Sequence, residues 1–96
     1  MDKNYYVYLI TNWNNKVLYI GVTSNLVQRV WQHKNNLVEG FTKKYHAHRL
    51  VYYELHETMD SAIMREKQMK KWKRDWKINL IEKDNLRWED LWPKIL

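Results

Sequence analysis

Ninety-six residues make one domain, 1–96, around one small core, and 45% apolar content is too high for a disordered chain. The absence of cysteine excludes disulfides, thiolate chemistry and cysteine-ligated zinc, and fits a cytoplasmic protein; no run approaches the ~18–20 apolar residues of a membrane span, and the N-terminus carries no apolar signal core. A net charge of +6 favours anionic partners, nucleic acid ahead of acidic membrane, with plain solubility as the competing explanation.

The first apolar run, YYVYLIT over 5–11, is β-branched and aromatic and predicts a strand. NWNNK over 12–16 is turn chemistry, and VLYIGV over 17–22 predicts the returning strand of a hairpin. Alternation puts Tyr6, Tyr8 and Ile10 on one face, with Val7 and Leu9 on the other. Tyr19 and Gly21 share a face of the second strand, so pairing can set Tyr8 and Tyr19 side by side. Thr23, Ser24 or Asn25 then caps a helix of about three turns. Residues 36–48 are polar and basic and read as a loop. RLVYYELH, 49–56, predicts a third strand. TMDSAIMREKQMKKWKRDW, 58–76, predicts a long helix capped by Thr58 or Asp60, with a break near Lys73 to Lys77 before a shorter helix. Pro93 limits helix in the closing segment. The order β-β-α-β-α-α predicts an α+β fold, a three-stranded antiparallel sheet flanked by helices.

Both main helices carry charge on their apolar faces. Leu26 and Val30 define the inward stripe of the first, and Arg29 and His33 fall on the same side. In the long helix Glu66 lies amid Met59, Ala62, Ile63 and Met69. Desolvating either charge alone costs several kcal/mol or so, which leaves two readings open. One is a structural Arg29–Glu66 ion pair. The other is a site: with two phenols and a histidine, these groups suit phosphodiester hydrolysis. Glu66 can hold a divalent cation through hard oxygen, and Arg29 can stabilise charge on phosphoryl oxygens. A phenol can relay a proton or attack as a nucleophile.

The ordered set Tyr8, Tyr19, Arg29, His33 and Glu66 resembles the GIY-YIG nuclease superfamily. Tyr6-Val7-Tyr8 stands at the first tripeptide, with Tyr6 replacing its usual glycine, and Tyr19-Ile20-Gly21 matches the second in full. The spacing from Tyr19 to Arg29 and His33 looks like the family's helix motif. Glu66 looks like the metal-binding glutamate, and Asn79 resembles the downstream asparagine. The likeness runs from about residue 5 to 80 and is nearest to small stand-alone bacterial members related to the N-terminal nuclease domain of the excision-repair excinuclease. It implies DNA cleavage with one magnesium or manganese ion, in a DNA-repair setting. In that carry-over Tyr19 activates water, Arg29 steadies the transition state, Glu66 holds the metal, and Tyr8 and His33 assist proton transfer and phosphate positioning. Two departures stand out: Tyr6, which could narrow access, and Val22, where some relatives carry lysine.

Outside that set, KKWKRDWK (70–77) mixes cations with two tryptophans. Lys70, Lys71 and Arg74 are candidate phosphate contacts, as are Lys43 and Lys44 in TKKYHAHR (42–49). Trp72 and Trp76, four apart, fit core packing better than base stacking. His46 and His48 are assigned no metal. The functional expectation is a metal-dependent DNA endonuclease of low sequence specificity, with a non-catalytic nucleic-acid-binding module as the alternative. The sequence sets no oligomeric state.

Overall fold

The computed structural model describes residues 4–96. Three strands form one sheet: β1 (Tyr5–Thr11), β2 (Leu18–Thr23) and β3 (Arg49–His56). The spatial order is β2-β1-β3, all antiparallel. β1 is the centre strand, and Val7 to Thr11 is buried without a break, which is why its apolar run is continuous rather than alternating.

Each face of the sheet has its own core. Tyr8, Ile10 and Leu50 pack against Leu26 and Val30 of α1 (Leu26–Lys34), with Trp92 and Ile95 of the C-terminal segment closing over them. Val7, Leu9, Ile20 and Val51 pack on the opposite side against Ala62, Met69 and Ile81. A register shift between Leu9 and Ile10 lets Val51 and Tyr52 both serve that second face.

The expected element order stands, with added short helices and one corrected boundary. Asn25 caps α1, its side chain accepting from the Gln28 amide, and Thr58 caps the later helix through the Ser61 amide. The 36–48 stretch is not all loop. Gly40, at φ 106°, turns the chain into a single-turn helix, α2 (Phe41–Lys44). The helix read as 58–76 ends at Lys70: α3 is Met59–Lys70 and α4 is Arg74–Asp84. The amides of Lys71 and Trp72 bond three residues back, to Gln68 and Met69, and Lys73 is extended. This tight turn lets Trp72 fold onto the core while Trp76 starts a new helix. α5 (Trp92–Ile95) carries Pro93 in its first turn, where a missing amide costs nothing.

Candidate active site

Tyr8 is the hub. It stands opposite Gly21 across the hairpin, and Tyr19 stands opposite Ile10, so the two phenols are diagonal neighbours on one face. Their ring centroids are 6.3 Å apart. The Tyr8 ring lies flat over Gly21; an added Cβ there would come 2.8 Å from Cε1 and nearer still to the hydroxyl end. The glycine is what lets the phenol reach across β2 to the edge of the sheet.

His33 descends from α1 onto both rings, 5.6 Å from the Tyr8 centroid and 5.5 Å from that of Tyr19. A 2.9 Å hydrogen bond joins Tyr8 Oη to His33 Nε2. The other ring nitrogen, Nδ1, bonds to Thr42 Oγ1 at 2.8 Å. All three residues are buried, so α2 is pinned to the site through Thr42. Burial, with help from Arg29 and His48, lowers the His33 pKa to about 4, and the imidazole is neutral at pH 7. Tyr8 is fully buried, and desolvation drives its pKa well above the usual phenol range; Tyr19 and Glu66 push the same way and Arg29 opposes them.

That balance of charges bears on the position of Glu66. α3 covers the face opposite to Tyr8, through Ala62 and Met69. Glu66 is one turn beyond Ala62, its side chain only 20% exposed, and its charge is felt at the Tyr8 hydroxyl. Its one cationic contact among the described residues is Lys70, at 3.6 Å. No ion pair joins Arg29 to Glu66 there, so the structural-pair reading loses its basis.

The chain matches the GIY-YIG catalytic domain over residues 4–79. It belongs to the GIY-YIG family. Curated relatives include a UPF0213 protein of Clostridium perfringens, 33% identical over 85 residues, covering 88% of this chain and 90% of the relative. Another, from Syntrophus aciditrophicus, is also 33% identical over 85 residues, covering 88% and 95%. The solution NMR structure of a UPF0213 protein from Bacillus halodurans shares the fold, with a TM-score of 0.57 at 23% identity over 91% of this chain and 92% of that one.

Within this GIY-YIG domain one sequence departure, Tyr6, shares the phenols' face of the sheet, and the other, Val22, lies on the opposite one. Tyr6 packs edge-on against Tyr53 of β3, with centroids 6.4 Å apart. Val22 packs with the α3-side core. The other candidate residues do not join the cluster. Asn79 is exposed on α4, and Lys70 and Lys71 are exposed around the end of α3. Arg74 donates to the Asn15 carbonyl at 2.6 Å. Lys43 pairs with Glu39, and Lys44 lies over the Tyr45 ring. Trp72 is half-buried as expected, but Trp76 is exposed. Sequence reasoning missed Thr42 and Phe41, whose ring stacks on Tyr19 at 6.2 Å. Both sit in the segment read as loop, where no apolar period marks them.

No group of three or more histidine or acidic side chains encloses a cation site among the described residues. A single shielded carboxylate fits magnesium or manganese, which keep water and take substrate phosphate as ligands rather than needing a protein cage. Among the described residues no helix is long and apolar enough to cross a membrane.

Proposed function

We propose that this protein is a metal-dependent endonuclease that hydrolyses DNA phosphodiester bonds with low sequence specificity. The observation that supports the reading is the contact of Tyr8, Tyr19 and His33 on one face of the sheet, with the charges of Arg29 and Glu66 acting on Tyr8. Tyr19 is the more open phenol and orients the attacking water. The Tyr8 hydroxyl keeps its proton and donates a hydrogen bond to neutral His33 Nε2, and His33 Nδ1–H donates to Thr42, which holds the cluster in place beside Tyr19. As the water oxygen bonds to phosphorus and the phosphorus–oxygen bond to the leaving group breaks, the Tyr19 hydroxyl passes the water's proton on toward the leaving oxygen. Arg29 stands beside the phenols and offsets the charge growing on the phosphoryl oxygens. Glu66 would hold the magnesium or manganese ion, which when bound polarises the phosphoryl oxygen and steadies the leaving oxygen. Lys43, Lys44, Lys70, Lys71, Arg74 and the polar Asn79 give contacts along the DNA backbone that carry no sequence information.

The test is incubation of the pure protein with nicked, branched and single-stranded DNA in magnesium, manganese or calcium. Cleavage should appear in the first two and vanish in Glu66→Ala and Tyr19→Phe. Cleavage that survives both substitutions would remove these residues from the chemistry.

A further inference from the structure

The hairpin turn carries Trp13 with 83% of its surface exposed, beside a second cleft that the hydrolytic cluster does not use. That cleft, about 260 Å³, is lined by Trp13, Thr11, Lys34, His46, His48 and Arg49, among others. A lone exposed apolar residue is ordinary; the setting of this one is not. The turn is braced from two sides. Arg49 donates to the Asn12 carbonyl and to the Asn15 side chain, and Arg74 donates to the Asn15 carbonyl. Asn12 Oδ1 accepts from the amides of Lys16 and Val17, closing the loop from inside. The indole is therefore presented on a fixed platform, with little ordering cost on binding. Lys34 is paired with Asp90, but Arg49 has no carboxylate partner among the described residues, so the cleft keeps one positive charge in excess.

The cleft's residues neighbour the cluster's along the chain and across the hairpin. Lys34 follows His33 on α1, and Thr11 pairs with Leu18, next to Tyr19. From Tyr8 to Trp13 is five residues, at most about 17 Å of chain.

We infer that Trp13 and the Arg49-lined cleft form a subsite for an unpaired nucleobase and its adjoining phosphate, a few nucleotides from the bond to be cut. An indole face stacks on any base, and the cation holds the backbone beside it. The substrate class is then DNA with a single-stranded arm rather than continuous duplex. This rests on the nucleic-acid reading above.

The experiment is fluorescence anisotropy, in EDTA, with a labelled fork carrying one unpaired arm and a labelled full duplex of equal length. The wild type should bind the fork about tenfold more tightly than the duplex, and Trp13→Ala should bring that ratio close to one, while Trp13→Phe keeps most of it. The dependence of fork affinity on salt should keep its slope in Trp13→Ala, because an indole neutralises no phosphate. Equal wild-type affinity for the two DNAs, or a fork preference that survives Trp13→Ala, overturns the subsite while leaving the endonuclease reading in place. Failure to bind either DNA overturns both.

Discussion

Gly21→Ala puts the architecture of the site to a quantitative test. The new Cβ would stand 2.8 Å from Tyr8 Cε1 and closer to the ring's hydroxyl end, where carbon atoms ordinarily keep about 3.5–4.0 Å. The ring must retreat by about 1 Å. It is fully buried and tied to His33 at 2.9 Å, so a retreat of that size stretches the bond beyond hydrogen-bonding range. Overpacking costs about 1–3 kcal/mol, and a buried phenol and imidazole left without each other cost about 1–3 more. Together these give about 4 kcal/mol, a large part of the stability of a domain this size. Urea denaturation should show the midpoint falling with the slope unchanged. Adding Tyr8→Leu to Gly21→Ala should cost much less than the sum of the two changes, because the second removes what the first collides with. If Gly21→Ala unfolds within ~0.5 kcal/mol of the wild type, a change typical of an ordinary surface site, the tight seating of Tyr8 on β2 is wrong.

Other changes probe the same network. His33 titrates near 6.5 when unfolded and at about 4 in the fold, so between those values the unfolded chain binds the extra proton. Stability is therefore fully present above about pH 6.5 and falls by about 2–3 kcal/mol as the pH drops toward 4; urea midpoints should show His33→Gln losing that part of the acid sensitivity. Thr42→Val leaves His33 Nδ1 buried without a partner and should cost about 1–3 kcal/mol and slow cleavage, with Thr42→Ser restoring most of both. Glu54 sits among Tyr52, His56 and Arg65. Burial raises its pKa, but hydrogen bonds from Tyr52 and His56 and the Arg65 charge outweigh it and hold the carboxyl below the usual range. Glu54→Gln should loosen α3 from β3, lowering the thermal midpoint by several degrees. Asn85 donates to the Val51 and Glu89 carbonyls and accepts the Glu89 amide; Asn85→Ala should cost about 2–4 kcal/mol in urea denaturation.

Much of this was legible in the chain itself. The strands followed from β-branched and aromatic runs divided by Asn-rich turn residues, and the caps were narrowed to Thr23, Ser24 or Asn25 and to Thr58 or Asp60, of which the fold uses Asn25 and Thr58. The inward face of α1 correctly carried His33 with Leu26 and Val30, because three- and four-residue spacing is geometry. The long helix was misread because nothing local in KKWKRDWK forbids a helix; the break comes from Trp72 seeking the core, a tertiary demand. Thr42 was illegible for the same reason. A threonine in a polar stretch gives no sign that a histidine nine residues earlier will reach for its hydroxyl.

The sheet also divides ownership of the proposed hydrolytic set. Its phenols, guanidinium and imidazole come from β1, β2 and α1, while the carboxylate arrives only with α3 from the opposite layer. A growing polypeptide completes the hairpin and first helix well before residue 66 is made. On the proposed chemistry such a fragment holds no metal ligand and cuts nothing, so the late arrival of one glutamate acts as an assembly interlock, arming the molecule only after its second layer has closed.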